Sequence, residues 1–108
     1  MFEPKPPIRS TREDVLDLAE DIDDFVIGLA ERIDAIQDAE LAEKSAELAQ
    51  LAGALSSDAD RLGYPAMALS AKGVADAAED NLCDELQEMI VELTEMAQRI
   101  RQGHRGAA

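Results

Sequence analysis

The residue types that most often carry catalysis or metal binding are few in this chain and lie far apart. The sequence holds one histidine, His104, and one cysteine, Cys83. A di-iron centre in a four-helix bundle needs Glu-x-x-His pairs, and His104 belongs to no such pair. Ser56 and Ser57 have no neighbouring histidine to act as a general base. Nucleophilic catalysis is therefore not expected.

Two acidic clusters are the remaining candidates for a metal site. They are the stretches EDIDD at 20–24 and EDNLCDE at 79–85. Neither has the loop glycine and the ligand spacing of a calcium-binding loop, so we interpret both as solvent-exposed faces. The chain also lacks a glycine-rich phosphate loop. The sequence thus predicts a protein that is not an enzyme and that binds no metal and no cofactor.

The composition is typical of a single small helical domain. The 108 residues are 46% hydrophobic and only 3% aromatic, and most of the apolar residues are alanine and leucine, which favour helices. No stretch reaches the roughly 20 apolar residues of a transmembrane helix, and the start MFEPKPPIRS has no apolar run typical of a signal peptide. A single cysteine excludes an internal disulfide, and we expect a cytoplasmic protein.

The formal net charge of −14 limits the classes of partner. Nucleic acid and anionic membranes would both be repelled by such a surface, so neither is expected as a partner. A basic protein surface is more compatible. The alternative interpretation is that the acidic charge simply keeps a small bundle soluble.

Apolar residues spaced three and four apart predict four helices. The first should begin at Ser10 or Thr11, with Ser10 and Glu13 forming a capping box, and end near Gln37. The second should run from about Asp38 to a stop at Gly63, which is the residue type favoured for a left-handed cap. Its apolar positions repeat every seven residues at Leu41, Leu48, Leu55 and Leu62.

The third helix should begin at Pro65, because proline has no N–H group and an N–H in the first turn has no acceptor within the helix. The fourth helix should end at Gly103. Their apolar stripes are Met67, Ala71, Val74 and Ala78, then Leu82, Leu86, Met89, Leu93, Met96 and Ile100. Asn81 with Asp84 favours a fresh cap between them. The alternative is one continuous helix over 65–102, whose protruding leucines would force dimerisation.

These elements together predict an all-α fold, an antiparallel four-helix bundle over residues 10–103. A flexible proline-rich lead-in over residues 1–9 precedes it, and a disordered tail over 104–108 follows. The alternative architecture has three helices, with the third and fourth fused, in a dimer.

The stretch GALSSDADRLGYPAMALSAKGVADAAED, residues 53–80, resembles the central helical hairpin of histidine-containing phosphotransfer domains. In that family the phospho-accepting histidine is followed by x-Leu-Lys-Gly-Ser-Ala and then, three positions on, by Leu-Gly. Leu55, Ala59 and Leu62–Gly63 match this pattern. Gly53 stands in the place of the histidine, and Ser56-Ser57-Asp58 replaces the Lys-Gly-Ser.

The resemblance implies a phosphotransfer-like bundle that has lost its phosphoryl acceptor. Such a protein would bind a receiver domain or a kinase of two-component signalling without relaying phosphate. The implied docking residues are Gln50, Gly53, Ala54, Ser57, Asp58, Arg61 and Lys72.

Other interpretations remain open from the sequence. Gly53, like Gly28 and Gly73, would in one of them only let two helices pack closely. The chain would in another be a small acidic interaction or inhibitor protein with a basic partner, or a structural homodimer.

Overall fold

The computed structural model describes residues 8, 10–12, 15–81 and 83–106. A 3₁₀ turn, Leu16–Leu18, leads into four α-helices: α1 Ala19–Leu41, α2 Ser45–Arg61, α3 Pro65–Glu79 and α4 Cys83–Gly106. Within these described ranges there is no strand. The prediction of an all-helical fold with four helices is confirmed.

The four helices form a ring of packed neighbours. Each contacts the next along the chain, and α4 contacts α1. The contact between α2 and α3 is the most extensive, since fully buried alanines such as Ala52, Ala59 and Ala71 let the two backbones approach closely. This hairpin is the part of the fold that carries the candidate site.

The core consists of most positions of the apolar stripes predicted from the helical period; Met89 and Met96 are half-buried, and Leu82 lies outside the described residues. Its largest fully buried side chains are Leu29, Ile36, Leu48, Leu55, Leu62, Met67, Leu93, Ile100 and Val74. Each buried leucine, isoleucine or valine contributes roughly 1.5–3 kcal/mol relative to an exposed side chain. All four helices supply members of this set, which therefore holds the ring together.

The predicted start of the first helix is wrong. Ser10 is buried and does not cap α1; its hydroxyl donates a hydrogen bond to the carbonyl of Leu62 and accepts one from the amide of Arg12. A tertiary contact thus competes with local capping for the same side chain. Regular structure begins only at Leu16, and Glu13 lies outside the described residues.

The boundary between the first two helices is also later than predicted. α1 continues to Leu41, whose side chain is 79% exposed, so Leu41 does not belong to the apolar heptad of α2. The chain turns at Glu43, which adopts a left-handed φ of 58°. Leu48, Leu55 and Leu62 are buried as the heptad predicted.

The α2–α3 turn follows the prediction closely. Gly63 has φ +87°, in the left-handed region that favours glycine. Pro65 occupies the first turn of α3.

The fused alternative for the third and fourth helices is wrong. α3 ends at Glu79, and Asn81 adopts a left-handed φ of 57°, which asparagine tolerates better than most residues. Asn81 therefore lies in the turn that follows α3, and Leu82, which separates it from α4, lies outside the described residues. The continuous helix that would have required a dimer is absent from the described residues.

The predicted end of the fourth helix at Gly103 is wrong. Gly103 is buried, and α4 continues to Gly106. Residues 1–7 and 9 of the expected lead-in lie outside the described residues, as do 107–108 of the expected tail.

Candidate functional site

The outer face of α2 carries six of the seven residues implied as docking residues. The buried side of this helix is formed by Leu48, Ala52, Leu55 and Ala59. The six lie on the other side, where Gln50, Ala54, Ser57 and Arg61 are exposed and Gly53 and Asp58 are half-buried. We call this surface the α2 outer face; it comprises Gln50, Gly53, Ala54, Ser57, Asp58 and Arg61.

Gly53 does not serve helix packing. A Cβ atom built at this position meets nothing within 4 Å, and the same holds for Gly28. A Cβ at Gly73 would instead lie 3.0 Å from the Cε of Met89, so Gly73 does permit a close approach between α3 and α4. The packing interpretation is therefore wrong for Gly53 and Gly28 and correct for Gly73.

A shallow groove runs between α2 and α3 and brings the seventh residue, Lys72, next to the α2 outer face. We call it the α2–α3 groove, and its lining is Ser56, Ser57, Asp60, Pro65, Ala68, Leu69 and Lys72. The Ser56 hydroxyl donates a 2.7 Å hydrogen bond to the Ala68 carbonyl, which ties the two helices together along the groove. Ser57 and Lys72 therefore belong to one continuous surface.

Leu69 is a member of this groove that sequence reasoning missed. Its side chain is 72% exposed. The available signal was its position outside the apolar stripe of α3, which runs through Met67, Ala71 and Val74. A leucine that lies outside the apolar stripe of an amphipathic helix faces solvent.

Asp58 and Arg61 belong to a chain of ion pairs between α1 and α2. Arg32 Nη1 lies 2.9 Å from Asp58 Oδ2, and Arg61 Nη1 lies 3.3 Å from Asp21 Oδ2. Arg61 Nη2 also lies 4.0 Å from Asp58 Oδ1. These pairs are partly exposed and are worth little to stability, but they orient both side chains towards α1.

The Arg32 guanidinium is held from a second direction. It lies 5.8 Å from the centroid of the Phe25 ring, which stacks on Tyr64 with the two centroids 5.6 Å apart. Neither Arg32 nor Asp21 was predicted as part of the site. Their involvement depends on which helices are neighbours, and that is not visible in one helix's periodicity.

Lys72 differs from the cations of this network. It makes no ion pair with any carboxylate in the part of the chain that the structure describes, although Asp60 lines the same groove. The groove thus presents an ammonium group that forms no ion pair among the described residues, together with an exposed leucine.

The described residues include no group of three or more His, Cys, Asp or Glu side chains that could hold a metal ion. The side chains of Cys83 and His104 lie outside the described residues.

The chain matches no protein-family model, no curated protein and no solved structure. Among the helices of the described ranges, none has both the length and the apolar character needed to cross a membrane.

Proposed function

We propose that this chain is a non-catalytic, phosphotransfer-like bundle that binds a receiver domain or a kinase through the α2 outer face and the α2–α3 groove, without relaying phosphate. The observation that carries the proposal is the position of Gly53. It lies on the solvent side of α2, with open space where a side chain would project, at the place that the phospho-accepting histidine takes in the family it resembles.

The same geometry explains why we propose binding without transfer. A phosphoryl acceptor in this position needs an imidazole nitrogen as nucleophile, and glycine supplies none. The missing side chain also leaves a low point on the helix surface between Gln50 and Ser57. A partner surface can approach the α2 backbone there more closely than over any larger residue.

The arrangement of helices that we propose is antiparallel. Each helix begins four positions after the previous one ends, and connections this short favour antiparallel neighbours. In that arrangement α2 and α3 present their outer faces side by side.

Two measurements on the wild-type chain test the proposal. We expect isothermal titration calorimetry with purified receiver domains encoded in the same genome to reveal at least one 1:1 complex. We also expect a receiver domain carrying a labelled phosphoryl group to leave the chain unlabelled. Failure of every receiver domain and every kinase to bind would contradict the proposal, and label on the chain would contradict its non-catalytic part.

A second candidate function is favoured by the outer face of α4. Exposed carboxylates surround Val91, whose side chain is 63% exposed, in a shallow hollow lined by Gln87, Glu88, Glu92 and Glu95. Such a surface suits a basic protein partner. This candidate predicts that the dissociation constant rises steeply with ionic strength, and a salt-independent affinity would contradict it.

A further inference from the structure

We propose that Leu69 and Lys72 form a two-point recognition element, and that its partner is a protein surface with a carboxylate beside an apolar pocket. This inference rests on the proposed docking function and adds the chemistry that selects the partner. Leu69 is not among the docking residues that the resemblance implies, and the resemblance implies Lys72 without giving it a role.

Leu69 is the apolar half of the element. Its side chain is 72% exposed and lies in the α2–α3 groove with Pro65 and Ala68. Single exposed leucines are common on protein surfaces. This one stands out because α2 contributes only short polar side chains to the groove, those of Ser56, Ser57 and Asp60. A partner that packs against those short side chains also contacts Leu69, the large apolar side chain that projects beyond them.

Lys72 is the charged half. The neighbouring cations Arg32 and Arg61 are already paired with carboxylates of α1 and α2, and Lys44 contacts Glu47 at 4.0 Å. Lys72 has no such pair among the described residues, in a chain whose net charge is −14. Its ammonium group is therefore available to a carboxylate of another molecule, and charge complementarity identifies that group on the partner.

The spacing of the two residues makes them act together. Residues three apart on a helix lie on the same face as neighbours, and both Leu69 and Lys72 line one groove. A single patch on the partner can contact both, with its carboxylate set beside the pocket that receives the leucine.

The test uses whichever receiver domain or kinase binds the wild-type chain, with matched variants of exposed residues. Leu69→Ala and Lys72→Glu are compared with Leu41→Ala and Lys44→Glu, which remove an exposed leucine at the end of α1 and reverse an exposed charge before α2. We expect each groove variant to weaken binding about tenfold or more, as hot-spot residues do, and each control to change it less than about twofold. Circular dichroism checks that all four variants fold.

A charge reversal on the partner completes the test. Replacing the contacted carboxylate by lysine should restore the affinity of the Lys72→Glu variant while weakening binding of the wild type. Groove variants that bind as tightly as the wild type would overturn this inference and leave the docking function standing. Absence of any wild-type complex with a receiver domain or kinase would overturn the docking function itself, and this inference with it.

Discussion

The hydroxyl of Ser10 donates a hydrogen bond to the carbonyl oxygen of Leu62, 52 positions further along the chain. The adjacent Thr11 amide donates to the Gly63 carbonyl at 2.8 Å, and the Ile8 amide donates to the Arg99 carbonyl at 2.9 Å. The N-terminal strap, residue 8 with residues 10–12, is therefore fastened to the α2–α3 turn and to α4. This turn ends the α2 outer face, so the strap supports one end of the candidate site.

Ser10→Ala should lower the free energy of unfolding by about 1–2 kcal/mol, because it leaves the buried Leu62 carbonyl and the Arg12 amide without their shared partner. Ser57→Ala is the matched control, since Ser57 is exposed, and it should stay within about 0.5 kcal/mol of the wild type. Urea denaturation measures both. Equal stabilities for the two variants would show that the strap contact contributes nothing.

Alanine substitution should have opposite effects at two glycines. At Gly63 the φ is +87° and a Cβ would lie 2.5 Å from the Ser10 Oγ and 2.8 Å from the Arg12 amide nitrogen, so Gly63→Ala should cost about 2 kcal/mol or more. At Gly53 the space is open, and Gly53→Ala should add about 0.5–1 kcal/mol by improving helix propensity. Thermal and urea unfolding of the two variants measure both changes in the free energy of unfolding. A loss of stability in Gly53→Ala would contradict the open space at Gly53.

The ion pair between Arg32 and Asp58 should have a small, salt-sensitive coupling energy. The two side chains are 31% and 42% exposed, so solvent screens their attraction. A double-mutant cycle with Arg32→Ala and Asp58→Ala should give about 0.5 kcal/mol at low ionic strength and close to zero at about 1 M salt. A coupling that persists in high salt would mean that the contact is not mainly electrostatic.

The left-handed residue in the α1–α2 connection offers a stabilising substitution. Glu43 has φ 58°, a conformation that costs a non-glycine residue roughly 1 kcal/mol. Glu43→Gly should therefore raise the free energy of unfolding by about 0.5 kcal/mol or more. Glu88→Gly, in the interior of α4, should lower it by about 1 kcal/mol. A loss of stability in both variants would contradict the left-handed conformation of Glu43.

Periodicity predicted the helices and their buried faces well, because burial of Leu48, Leu55 and Leu93 follows directly from spacing along one helix. Helix ends were predicted less well. The turn around Glu43 contains neither glycine nor proline, so local residue preferences gave no signal for it. Ser10 satisfied a local capping pattern, but a contact with the distant Leu62 determines its position.

The residues of the candidate site also differ in how far the sequence could identify them. The residues of the α2 outer face were implied by the resemblance, and the period of one helix places them on the same side of α2. Arg32 and Asp21 could not be assigned to the site, because their ion pairs depend on which helices pack side by side.

The most direct test of the central claim compares glutamine at two glycines that share the same local environment. Gly53 and Gly28 both lie within helices and both have open space at the Cβ position, so a side chain can begin at either position without a clash. Binding of a receiver domain or kinase is then measured by calorimetry for both variants and the wild type. We predict that Gly53→Gln weakens binding about tenfold or more while Gly28→Gln binds like the wild type. Equal affinities for the two variants, or no complex with the wild-type chain, would contradict it.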